Sequence, residues 1–254
     1  MNKAEYNQIR DYLYLAAQTK YSAQDIKTRF ETEQAASYGE GMARWIPDFE
    51  YAHQLLLSAL ATSAEPIARG VELGAGSGRV SKLLLDAFPS LNLTLVDISP
   101  NMLGMAKERL AADTARCEFQ VHDIFAEDLE FPANSLDCIV SVFAICHAQS
   151  VEIYKQLYRR IYKWLRPGGS FFCYDHVRGD TFEWTALNAM GWHQLLMASQ
   201  TAEQAKEGIV GTYQEDSPLS LREHLALLTE AGFSAADVLY KRDIFAIYAG
   251  TKSG

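Results

Sequence analysis

The stretch VELGAGSGRV, Val71–Val80, decides how the chain is read. An apolar run with one acid, Glu72, leads into Gly74, Gly76 and Gly78, spaced two residues apart, and then into a helical pattern. Glycine before a helix N-terminus bares backbone N–H groups to a ligand. The dinucleotide pattern G-x-G-x-x-G places a pyrophosphate on such a helix end. Here the spacing is G-x-G-x-G and Glu72 precedes it. A carboxylate repels a pyrophosphate but favours a cationic ligand.

Working outward, strand and helix patterns alternate from about residue 70 to 175. GVEL reads as a strand, GRVSKLLLDAF as a helix, NLTLVDIS as a strand, and SPNMLGMAKERLA as a helix capped by Ser99 with Pro100 in its first turn. CEFQVHDI and SLDCIVSVFAI read as strands. VEIYKQLYRRIYKWL is a periodic helix that RPGG breaks before the strand SFFCYD. Near the end, LREHLALLTEAGF reads as a helix, and AADVLYK with DIFAIYAGT as a strand pair. The expected fold class is α/β, a doubly wound, seven-stranded, mostly parallel, Rossmann-like sheet with a C-terminal antiparallel pair and a helical cap. Residues 1–66 form an N-terminal helical lid or cap segment; residues 67–254 form the main domain, with a cap insertion at about 179–217.

Composition bounds the function. The 254 residues are 48% hydrophobic, enough for a real core, and the net charge of −9 argues against phosphate backbones as the main partner. No apolar run is long enough to span a membrane, and the first twenty residues do not read as a secretion signal. A cytoplasmic location is expected. Cys117, Cys138, Cys146 and Cys173 are scattered, with no CxxC pair, so no metal is expected.

Three acids fall at three successive strand ends: Glu72, Asp97 and Asp123. They suit a ligand with an ammonium group, ribose hydroxyls and an adenine amino group. On VELGAGSG, LTLVDIS, VHDIF and WLRPGGSFF, the chain resembles the class I S-adenosylmethionine-dependent methyltransferases over roughly residues 66–178. The resemblance implies S-adenosyl-L-methionine as cofactor. It places the methionine part at Glu72, Gly74, Ala75 and Gly76, the ribose at Asp97 with Ile98 and Met102 beside it, and the adenine at Asp123 and Ile124 with Val142 nearby. Tyr38 and Arg44, after FETEQAASY, look like the lid that closes over the methionine end.

Such enzymes need no shared catalytic residue, because the methyl group on a sulfonium is already activated and positioning supplies much of the rate. Candidate bases are His147 after the fourth strand, His176 after the fifth, and His193 in the insertion; His53, His122 and His224 read as structural or exposed. Trp184, Met190 and Trp192, with Tyr12, Tyr14, Tyr21, Trp45 and Phe49, suggest a small, partly apolar or aromatic acceptor. The C-terminal half resembles bacterial small-molecule methyltransferases. More distantly, it resembles the enzyme that makes a carboxymethylated wobble uridine in tRNA from carboxy-S-adenosylmethionine. That relative uses an insertion arginine, whereas QTAEQAKEGIVGTYQED here offers only Lys206. A methyltransferase or carboxymethyl transferase acting on tRNA or another macromolecule is the alternative, and a dehydrogenase or non-catalytic nucleotide-binding module is the third reading. A homodimer through the Tyr-rich N-terminal helices is expected.

Overall fold

A computed structural model describes residues 3–32, 45–62 and 65–254. Tyr38 and Arg44 lie outside the described residues. Helices α1 (Lys3–Gln18), α2 (Ala23–Thr32) and α3 (Phe49–Leu60) precede the sheet. The alternating core follows: β1 (Arg69–Leu73), α4 (Arg79–Ala87), β2 (Asn92–Asp97), α5 (Pro100–Arg109), β3 (Cys117–Val121), β4 (Leu136–Val142), α6 (Val151–Trp164) and β5 (Leu165–His176). Helices α7 (Phe182–Met197), α8 (Ala202–Glu215) and α9 (Leu221–Ala231) lead to β6 (Ala235–Arg242) and β7 (Phe245–Thr251).

The seven strands lie in the order β3-β2-β1-β4-β5-β7-β6. The first five are parallel; β7 runs antiparallel to β5 and β6. The order reverses between β1 and β4, so the crevice at their carboxyl ends is where a ligand belongs. Helices cover both faces, which is why β1, β4 and β7 are buried along most of their length.

Local chemistry sets the element ends. Ser99 accepts the Met102 N–H with Pro100 at the first helical position, and Ser220 and Glu223 cap α9 reciprocally. Two boundaries differ from the sequence reading. The RPGG segment does not separate α6 from its strand, because β5 already starts at Leu165 and absorbs Gly168 (φ 77°) beside an irregular register with β4. Strand β3 stops at Val121, so Asp123 sits in the following turn, where its carboxylate accepts the Phe125 N–H at 2.8 Å.

The first segment and the insertion share one helical layer. Helix α1 packs on α7 and α8. Tyr14 packs against Phe182 with the rings tilted by 32°, and the Gln194 amide donates to Glu5 at 3.2 Å. The Trp192 indole N–H donates to the Trp45 carbonyl at 2.7 Å. Among the described residues, no helix is long and apolar enough to cross a membrane.

Candidate active site

The glycine loop answers differently at each glycine. All three have positive φ: 75° at Gly74, 52° at Gly76 and 73° at Gly78. A Cβ on Gly74 would lie 2.2 Å from the Ala144 Cβ, and one on Gly78 would lie 2.9 Å from the Ala106 Cβ. Those two glycines are set by packing against the protein itself. A Cβ on Gly76 would meet only the Met102 methyl, at 3.5 Å, so Gly76 is the glycine that leaves room for a ligand.

Carboxylates hold the loop in place. The Gly74 and Ala75 N–H groups donate to the Val96 carbonyl at 2.8 and 3.0 Å, folding the loop over the end of β2. Asp97 accepts the Gly76 N–H at 2.7 Å on one oxygen and the Ser99 N–H at 2.9 Å on the other. Burial pushes its carboxyl upward against the pull of those two donors. Glu72 is 1% exposed; burial raises its carboxyl to about 8, although the Ser81 hydroxyl donates to it.

These groups line a cleft at the strand ends. Glu72, Gly74, Ala75, Gly76, Asp97, Ile98, Met102, Asp123, Ile124 and Val142 all face it. Sequence reasoning missed His53, which also lines the cleft. Its Nδ1–H donates to the Phe49 carbonyl at 2.7 Å, burial lowers its pKa, and its Nε2 has no partner among the described residues. The available signal was periodic: Phe49, Ala52, His53, Leu56 and Leu60 form one buried stripe of α3.

A second cavity, of about 520 Å³, adjoins the cleft and shares Phe143 and His147 with it. Phe143 holds φ at 53°, rare for a bulky residue, with its N–H bonded to the Tyr174 carbonyl at 2.9 Å. Trp45, Ile46, Trp192, Leu196 and Phe245 supply apolar wall. At its floor His147 Nδ1 lies 3.0 Å from one oxygen of Asp216, and His176 Nδ1 bonds the other. Burial opposes the charge on His147, but Asp216 and Asp175 outweigh it and raise the imidazole to about 9. The two imidazoles hold Asp216 well below the usual carboxylate range.

The histidine expectations divide. His147 and His176 come together on Asp216, a residue sequence reasoning did not single out. His193 faces neither cavity: it is 5% exposed on α7, with Nδ1 3.7 Å from Glu5 of α1. Trp184 is 58% exposed and contributes no wall. Lys206 pairs with Glu203 at 3.0 Å and faces neither cavity.

Residues 71–169 match a family described as a methyltransferase domain. Over those residues the chain is similar to methyltransferase domains. The chain is 35% identical over 89 residues to phosphoethanolamine N-methyltransferase of Plasmodium falciparum (isolate 3D7), covering 35% of this chain and 32% of that protein. It is 28% identical over 199 residues, 74% of each chain, to carboxy-S-adenosyl-L-methionine synthase of Trichodesmium erythraeum (strain IMS101). In fold it resembles a solved structure described as a possible exported protein from Bordetella parapertussis. The TM-score is 0.67 and the identity 17%, over 99% of this chain and 95% of that one. The chain spans about a fifth to a third of the length of the first curated relatives it matches.

Proposed function

We propose that the protein transfers a methyl group from S-adenosyl-L-methionine to a small, partly apolar or aromatic acceptor seated in the second cavity. One observation carries this reading: an acidic cleft lined by bare backbone shares a wall, Phe143 and His147, with an apolar cavity. The cleft fits a cationic sulfur nucleoside, because two buried carboxylates, Glu72 and Asp97, face it and Gly76 leaves backbone uncovered. When bound, the cofactor supplies a methyl group already activated on a sulfonium. The chain's part is to position and to exclude water. Asp97, fixed by two backbone N–H groups, presents its remaining lone pairs to the ribose hydroxyls. Asp123 and Ile124 lie at the adenine end, and Glu72 offsets positive charge. Trp192 and Phe245 keep the second cavity dry, which strengthens each polar contact inside it. His147, on the shared wall, is the group placed to touch the acceptor.

Residues 1–66 and 179–217 act together, in this reading, as the cap on the acceptor, and exposed Tyr14 and Leu15 of α1 supply apolar surface for a homodimer. The similarity to carboxy-S-adenosyl-L-methionine synthase over 74% of each chain supports a second reading, formation of that compound. Titration calorimetry with S-adenosylhomocysteine, followed by a radiolabelled methyl assay over small amines, phenols and carboxylic acids, tests the proposal. Tight binding and transfer to a panel member are expected. Binding of NAD with no response to S-adenosylhomocysteine overturns it, and transfer to tRNA alone overturns the small-acceptor part.

A further inference from the structure

The floor of the second cavity gathers more ligating chemistry than acceptor binding requires. Cys146 and His147 come from the short helical turn after β4, His176 from the last position of β5, and Asp216 from the end of α8. The ligating atoms of Cys146, His147 and Asp216 lie within 4.8 Å of one another, as do those of Cys146, Asp175 and His176. Asp216 touches both imidazoles through Nδ1, one on each oxygen. All four of Cys146, His147, His176 and Asp216 face the cavity.

The surroundings hold these donors in place. Asp175, 1% exposed, accepts the Cys146 N–H at 2.8 Å on one oxygen and the His176 N–H at 2.9 Å on the other. One carboxylate thus pins the backbones of two donors from separate elements. The Ser217 N–H donates to the Cys146 carbonyl at 2.8 Å, tying the residue after Asp216 to the same turn. Lys20 bonds the Asp216 carbonyl and lies 3.1 Å from the Ser217 hydroxyl. Bracing of this kind around a donor set is what orients ligands for a metal.

We propose that Cys146, His147, His176 and Asp216 form a site for one transition-metal dication of the zinc type at the floor of the acceptor cavity. The donor set selects the class. Two imidazole nitrogens, a thiol sulfur and a carboxylate suit zinc, whereas magnesium and calcium take oxygen ligands. In a tetrahedral zinc site, donors about 2.0–2.3 Å from the metal lie roughly 3.3–3.8 Å apart. The 3.0 Å separation of His147 and Asp216 and the 4.8 Å ceiling on the Cys146–His147–Asp216 triad bracket that spacing, and His176, bonded to Asp216 and within 4.8 Å of Cys146, joins the set by side-chain rotation. With four protein donors the ion would sit in a closed tetrahedral site facing the cavity. The proposal does not depend on methyl transfer.

The test uses the metal alone. The full chain is stripped with chelator, dialysed and titrated with Co²⁺, and Zn²⁺ is measured separately by elemental analysis after gel filtration. One ion per chain is expected, with visible d–d bands and a near-ultraviolet thiolate-to-cobalt band. Cys146→Ser should lose that band while still binding cobalt, and His176→Gln and Asp216→Asn should each weaken binding at least about tenfold. Circular dichroism and S-adenosylhomocysteine binding serve as fold controls for each variant. Substoichiometric metal in the parent chain overturns the proposal, as does cobalt binding that the three variants leave unchanged. Retained S-adenosylhomocysteine binding without metal removes only the metal site; metal without S-adenosylhomocysteine binding removes only the methyltransferase reading.

Discussion

Gly74→Ala and Gly76→Ala should fail in different ways, although both glycines have positive φ and stand two residues apart. An alanine in the left-handed region costs about 1–2 kcal/mol at either position. At Gly74 the new methyl would also lie 2.2 Å from the Ala144 Cβ, more than 1 Å inside ordinary contact, and this wall belongs to a packed core. Overpacking adds about 1–3 kcal/mol. Gly74→Ala should therefore cost about 2–5 kcal/mol, of a total on the order of 5–15. For a chain of this size each kcal/mol lowers Tm by roughly 2–4 °C. Gly76→Ala meets only the Met102 methyl at 3.5 Å, so its folding cost should stay near the 1–2 kcal/mol of the backbone term. Its methyl instead takes cleft volume and should weaken S-adenosylhomocysteine binding by about tenfold or more, roughly 1.4 kcal/mol. A double-mutant cycle separates the effects. Ala144→Gly removes the overlapping atom, so coupling with Gly74→Ala should be at least about 1 kcal/mol and coupling with Gly76→Ala near zero. Denaturant melts and calorimetry read both quantities. Equal destabilisation by the two substitutions, or no coupling to Ala144, refutes the reasoning.

Further outcomes follow from three titratable side chains, Glu72, His224 and Asp137. Glu72 is raised from 4.5 to about 8, so the fold favours its neutral form; that stability is full below about pH 4.5 and is lost as pH rises towards 8. Glu72→Gln should flatten this fall, by up to a few kcal/mol, in melts from pH 5 to 8. Binding of cationic S-adenosylmethionine at pH 7 should release a proton, seen as a buffer-dependent binding enthalpy. His224 is lowered from 6.5 to about 3 by burial, so its contribution is present above about pH 6.5 and is lost as pH falls towards 3. His224→Gln should reduce the slope of stability between pH 6.5 and 4. Asp137 accepts the Ala68 and Arg69 N–H groups at 2.8 and 2.7 Å and pairs with Arg166. Asp137→Ala should cost about 2–4 kcal/mol in denaturant melts with S-adenosylhomocysteine affinity unchanged, because it strands two backbone donors far from the cleft.

The cofactor wall was legible because its constraints are local. Glycines with positive φ, an acid two residues before the first of them and an acid at the end of the next strand are short-range requirements, and the chain spells them out in order. The strand–helix alternation then fixed the sheet, since right-handed crossovers leave few alternatives. What the glycines do was not legible. Whether a missing Cβ serves a ligand or a neighbour depends on Ala144 and Ala106, which lie 70 and 28 residues downstream of Gly74 and Gly78. His53 was hidden for a related reason. A histidine on an apolar helical stripe reads as packing, and only the docking of α3 against Tyr174 turns it towards the cleft.

The acceptor side follows a different logic. Asp216 lies 69 residues from His147 and 40 from His176, and Lys20 reaches its carbonyl across 196 residues. No spacing rule joins such positions; the sheet does, by ending β4 and β5 side by side, while α7 and α8 return the chain over them. His193 shows the converse. Its aromatic surroundings resembled a site in sequence, yet the same helical layer turns it onto Glu5 of α1. The packing of α1 against α7 therefore keeps His193 away from the second cavity. The family match over residues 71–169 covers the cofactor half, whereas the second cavity is lined mostly by residues outside it.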